Sequence, residues 1–368
     1  MFPACAFTPA WIESQRRQLG QCDPAILEKC VYALTLLGYL AESNLPFLFK
    51  GGTSLLLHLP QTRRLSRDID IVCGEASGTV DTALANVGQR APFVRWEEDM
   101  RGTRGLPQRR HFKFSYRSAL GASVEQEVLL DIVEERAEVH TVVQRAIRTG
   151  FLEPEREILV RVPTVESLLG DKLTAFAPKT TGVPLRKTDG SAADVQQVAK
   201  QLFDVGVLFE AANDFAQIAR SYDAISTLEA SYRPTHPSRA TALDDTLAAC
   251  LALTATKKRD LAAYADAPLL HDGFDRLRGH LTWPEFGREH RRTLAARAAV
   301  LVAFLQSGRH LDFAAMRYTG SVEQIATLRT DTLNGTPYAW LDGLKAVNPE
   351  AYYYWHLAFG VGYKAVAG

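Results

Sequence analysis

The stretch Asp68-Ile69-Asp70-Ile71-Val72 constrains this chain more than any other. Carboxylates alternate with β-branched residues at period two, so a strand here puts Asp68 and Asp70 on one face and Ile69 and Ile71 on the other. What surrounds it must bury the isoleucines. Upstream, apolar residues three and four apart predict helices over 8–19 and 24–44. Pro46 begins a short apolar run of strand length that ends at Gly51-Gly52, and Thr53 or Ser54 N-caps a renewed helix, TSLLLHL. Strand, glycine turn and helix therefore precede the aspartate strand.

Downstream, a helix is expected over 79–89, then two strands over 109–118 and 123–135 with Gly121 in the turn. Asp131 sits in the second of these, flanked by apolar residues. From Pro163 every periodic segment is helical (164–177, 194–212, 241–255 and 289–306), with a polar, mobile loop over 179–192. There is no internal repeat. At about 150 residues per domain, 368 residues make two or three domains. The expected division is 1–162 and 163–368. The fold class is α+β or α/β, a mixed sheet with flanking helices followed by a mainly helical C-terminal domain.

Lysine plus arginine and aspartate plus glutamate each number 42, so net charge is zero. That excludes a globally basic nucleic-acid coat but not a local groove. No apolar run approaches the roughly 18–20 residues of a membrane span, so a soluble, cytoplasmic protein with no membrane partner is expected. The five cysteines are odd in number and widely spaced, which indicates neither a zinc site nor a disulfide framework.

A glycine turn opening a helix presents backbone N–H groups to a phosphate. Two carboxylates on one strand face can hold Mg²⁺ against the same triphosphate, since Mg²⁺ favours carboxylates plus substrate phosphates. A third carboxylate on a neighbouring strand completes a two-metal site. Taken singly, G-G-T-S is a common turn and D-x-D is often merely exposed; the ordered combination points to a nucleotide site. Gly51, Gly52, Thr53 and Ser54 are its candidate nucleotide contacts, and Asp68, Asp70 and Asp131 its candidate metal ligands and catalytic carboxylates. Arg67 is open between a phosphate contact and an exposed loop arginine. Residues 101–117 carry Arg101, Arg104, Arg109, Arg110, Lys113 and Arg117 with no acid among them. This is a local positive patch with interleaved aromatics, suited to an RNA backbone or simply solvated.

The combination resembles the nucleotidyltransferase superfamily, with its pattern of hG[GS], then D-h-[DE]-h, then h-[DE]-h. More narrowly it resembles the AbiEii/AbiGii toxin family, the toxin half of type IV toxin–antitoxin systems, through FKGGTSLLLHL…RLSRDIDI, LLGDKLTAFAPKTTGVP and KQLFDVGVLFE. The resemblance covers about residues 40–210. It implies that Lys172, in the second block, and Asp204, in the third, are functionally required, with Lys172 steadying nucleotide phosphates. From the residues alone, Lys172 reads as a surface lysine beside Glu166 or Asp171, and Asp204 is open between a structural ion pair and an active-site role. The resemblance further implies transfer of a nucleoside monophosphate from an NTP with Mg²⁺ to RNA, tRNA 3′ ends being the acceptor in some members. It also implies a cognate antitoxin, usually with a winged-helix domain. Two other readings use the same core: nucleotidyl transfer to a small hydroxylated acceptor of the aminoglycoside kind, and phosphotransfer of the γ-phosphoryl group.

Overall fold

The computed structural model describes residues 2–20, 22–100, 107–121, 124–134, 137–255 and 264–360. It divides into two compact units, residues 1–164 with 279–284, and residues 165–278 with 285–368.

In the first unit, helices α1 (Pro9–Gln18) and α2 (Pro24–Glu42) begin at side-chain caps. Thr8 accepts from the Trp11 N–H, and Asp23 accepts from the Ala25 and Ile26 N–H groups, each with proline at the helix start. By length and composition α2 is apolar enough to cross a bilayer, which corrects the expectation that no such segment exists. Here it is a core helix, with Leu34, Leu36, Leu37 and Leu40 fully buried.

Strands β1 (Leu48–Lys50), β2 (Asp68–Val72), β3 (Phe93–Glu98), β4 (Arg109–Arg117) and β5 (Glu125–Val133) form one sheet in the order β1-β2-β5-β4-β3. Only the β2–β5 pair is parallel, so the sheet is mixed, as expected. Ile69, Ile71, Phe112, Phe114, Leu130 and Ile132 are at most 1 % exposed, and their face packs with α2 into the core. Between β1 and β2 lies a single α turn, α3 (Gly51–Ser54), and then a 3₁₀ turn over Leu55–Leu57. The helix foreseen here stops short because Leu59 precedes Pro60, and a residue before proline is driven out of the α region. Helix α4 (Ser77–Gly88) links β2 to β3. The β4–β5 hairpin closes through the Val124 N–H donating to the Gly121 carbonyl at 2.9 Å. A two-stranded ribbon, β6 (Val142–Ala146) and β7 (Leu159–Pro163), completes the chain-continuous part of the unit.

The segment Gly279–Pro284 returns to this unit from far along the chain. The Leu65 N–H donates to the His280 carbonyl at 2.7 Å and the Thr282 N–H to the Arg63 carbonyl at 3.1 Å, while Arg63 stacks over the Trp283 ring at 4.5 Å. The run-in to Asp68 is thereby braced by residues more than two hundred positions downstream.

The second unit is helical. It comprises α5 (Val165–Ala175), α6 (Val195–Ala211), α7 (Phe215–Ser231), α8 (Arg239–Thr254), α9 (Ala267–Leu277) and α10 (Arg288–Ser307), with further short helices and Pro349–Gly360. Helix α10 packs against α6, α8 and Pro349–Gly360, and α5 lies between α6 and α7. The 179–192 segment, expected as a loop, is irregular but tied down: the Lys187 N–H donates to the Ser191 carbonyl at 2.8 Å and Arg186 bridges to Ala192.

Candidate active site

Register places the candidate carboxylates. Asp70 stands opposite Lys50 on β1 and opposite Asp131 on β5, and Asp131 stands opposite His111 on β4. Directly opposed residues share a face, so Lys50, Asp70, Asp131 and His111 form one row across four strands. Asp68 heads the neighbouring row with Leu129 and Lys113. The isoleucines and phenylalanines between them point into the core, so the rows that hold the carboxylates lie on the opposite face.

The glycine turn abuts that row. Gly51 has φ +79°, a left-handed conformation that suits glycine, and a Cβ there would overlap the Asp70 carboxylate. A Cβ on Gly52 would stand 2.5 Å from Arg64 Nη2 and 3.1 Å from Ser66 Oγ. The two glycines thus let Asp70, Arg64 and Ser66 crowd the turn. Thr53 donates its hydroxyl to the Asp68 carbonyl at 2.6 Å, and Ser54 donates to the Gly51 carbonyl at 2.8 Å. Both side chains are fully buried, so they brace the turn and fix the start of β2. Gly51→Ala is expected to cost about 1–3 kcal/mol for the strained backbone and to displace Asp70. Urea unfolding and turnover measured together check this, and an alanine variant as stable and active as wild type would contradict it.

Arg64 is 7 % exposed, and sequence reasoning passed over it in favour of Arg67. The signal available was its place two residues before Ser66 in a basic run leading into D-x-D. Lys29 on α2 was also missed: burial lowers its pKa, and the nearby Arg67 cation lowers it further, opposed by Asp68 and Glu127. His58, at the end of the turn, is pushed down to about 4 by burial and by Arg145, which keeps it neutral at pH 7.

Asp131 accepts from His111, with Nδ1 to Oδ1 at 2.7 Å. Among the described residues no three histidine, cysteine or acidic side chains are gathered around one point as a ready metal cage. The donor set still fits Mg²⁺, which takes one or two carboxylates with substrate phosphates and water and does not require an all-protein cage.

The second unit holds the other two candidates together. Lys172 Nζ lies 3.1 Å from Asp204 Oδ2 and donates to Gln201 Oε1 at 3.2 Å. Lys172 is 6 % exposed and Asp204 fully buried, so Lys172 is not a surface lysine beside Glu166 or Asp171. Glu166 instead accepts from the Asn213 N–H at 3.1 Å. Lys200 lies one turn before Asp204 on α6 and is also buried.

The basic run divides between the two faces of β4. Arg101 and Arg104 fall outside the described residues. Arg110 is held by Glu98 at 2.7 Å and Asp81 at 2.7 Å and lies over the Phe112 ring; these two acids raise its pKa. Lys113 pairs with Asp99 at 3.2 Å. Arg109 and Arg117 remain exposed at the strand ends. The compensating acids come from Glu97-Glu98-Asp99, just before the run, and from α4.

The sequence matches the family described as the nucleotidyl transferase AbiEii toxin of type IV toxin–antitoxin systems over residues 35–284. Similar solved structures include MenT4, a nucleotidyltransferase toxin from Mycobacterium tuberculosis H37Rv, at 16 % identity and a TM-score of 0.44, covering 76 % of this chain and 94 % of that one. A putative nucleotidyltransferase from H. pylori shows 14 % identity and a TM-score of 0.42, covering 77 % and 99 %. JHP933 from Helicobacter pylori shows 15 % identity and a TM-score of 0.41, covering 76 % and 95 %. No curated protein gives a significant match. The family match runs from α2 through the glycine turn, all three site carboxylates, Lys172 and Asp204 to the end of the returning segment, and by it the chain belongs to the AbiEii nucleotidyltransferase toxin family.

Proposed function

We propose that this toxin transfers a nucleoside monophosphate from an Mg²⁺-bound NTP to a hydroxyl at an RNA 3′ end, tRNA being the expected acceptor. The observation that carries this reading is the single row in which Asp70 and Asp131 stand opposite each other beside the Gly51 turn.

The turn and Arg64 bind the triphosphate. Asp68 and Asp70 hold Mg²⁺, which when bound neutralises phosphate charge and lowers the pKa of the acceptor hydroxyl. Asp131 orients that hydroxyl and takes its proton as the oxygen attacks the α-phosphorus. The bond from the α-phosphorus to the bridging oxygen then breaks, and pyrophosphate leaves with the electron pair. Family membership brings an antitoxin partner; a winged-helix domain on that partner belongs to the same reading.

With Arg110 and Lys113 already paired to acids, strand charge does not argue against a small hydroxylated acceptor. The decisive assay therefore offers both. The full chain is incubated with Mg²⁺, each α-labelled NTP in turn, and either total tRNA or an aminoglycoside, beside the Asp68→Ala, Asp70→Ala double variant. Label on tRNA with wild type alone is the expected result and identifies the base. Label on the aminoglycoside alone replaces the acceptor. Transfer seen only from γ-labelled NTP would replace nucleotidyl transfer with phosphotransfer.

A further inference from the structure

The active-site row ends on a histidine that none of the sequence motifs includes. His111 stands directly across β4–β5 from Asp131, and its Nδ1 is 2.7 Å from Asp131 Oδ1. The two side chains are 28 % and 35 % exposed, so the bond lies at the open face and not in the core. An ionised carboxylate only accepts hydrogen bonds, so the hydrogen between them belongs to His111 Nδ1. On its other side Asp131 faces Asp70. Two like charges in directly opposed positions repel, and an untethered Asp131 side chain would rotate away from the position the reaction needs.

We infer that His111 is the positioning residue for Asp131: its Nδ1–H fixes Oδ1 on the β4 side and leaves Oδ2 as the oxygen presented to the acceptor hydroxyl. This rests on the role given to Asp131 under the proposed function. Triphosphate binding is assigned to the glycine turn and Arg64, whereas the side-chain contact His111 makes is with Asp131. His111 therefore acts on the catalytic step and not on nucleotide affinity. Supporting groups of this kind are worth about 10- to 100-fold when removed.

The test compares full-length His111→Phe and His111→Asn. Phenylalanine keeps the ring and loses the donor, whereas the asparagine amide nitrogen can take the place of Nδ1. His111→Phe should lower kcat about 10- to 100-fold, with the affinity for an Mg²⁺-bound non-hydrolysable NTP analogue, measured calorimetrically, unchanged within twofold. His111→Asn should recover most of the loss. An equal loss in both variants, no loss in His111→Phe, or a parallel loss of analogue affinity would each overturn the inference.

A second readout needs no turnover. In ¹⁵N-histidine NMR spectra of the wild type, His111 Nδ1 should be protonated, and Asp131→Ala should release it to the ordinary Nε2–H tautomer. A His111 already in the Nε2–H form in wild type overturns the inference whatever the acceptor proves to be. Full transfer by Asp131→Ala, with the NMR result intact, would overturn the role of Asp131 instead.

Discussion

Asp68→Ala and Asp70→Ala each reduce nucleotidyl transfer by at least about 10³-fold, since several kcal/mol of metal-borne charge stabilisation is lost at about 1.4 kcal/mol per decade. The fold survives both changes. Neither side chain belongs to the core, and removing Asp70 relieves its opposition to Asp131, so the unfolding midpoint should stay level or rise. Steady-state rates with α-labelled NTP and a thermal melt on the same preparations test this; either variant retaining a tenth of wild-type activity would refute the assigned chemistry.

Asp204→Ala has the opposite character. Its carboxylate is fully buried against the Lys172 ammonium, and removing it strands a buried cation. The expected cost is about 3–5 kcal/mol in urea unfolding. Replacing both partners, as Lys172→Met with Asp204→Leu, should return most of that stability, because apolar residues of similar volume substitute well for a buried pair. Transfer should stay lost in the double variant. Recovery of activity along with stability would make the pair structural alone, and a single variant as stable as wild type would show that Lys172 finds another anion.

The elements that could be read from sequence are those whose two faces differ most. β2 and β5 alternate cleanly because one side of each faces α2 and the other the site, and α2 and α6 announce themselves by long apolar periodicity. β3 escaped notice because it is an edge strand whose only buried residue is Phe93, and β6 has no buried residue to set a period. The carboxylate row was anticipated through motif order. His111 was not, since nothing in a basic run says which residue will stand opposite an aspartate twenty positions on. An aspartate on the apolar face of α6 calls for a partner such as Lys200 or Lys172, and that Lys172 fills the place depends on how α5 packs on α6. The pairing of Arg110 and Lys113 was hidden for a similar reason: their acids arrive from an adjacent strand and helix that local composition does not show.

The returning segment Gly279–Pro284 also sets an order of assembly during synthesis. All three candidate carboxylates have been synthesised by residue 131, yet the segment that braces the run-in to Asp68 and Asp70 is made only some 150 residues later. At usual translation speeds that interval is on the order of ten seconds. A nascent toxin thus carries its candidate site carboxylates well before the segment that braces the approach to β2. A chain cut anywhere between residues 165 and 278 remains in that unfinished state for good.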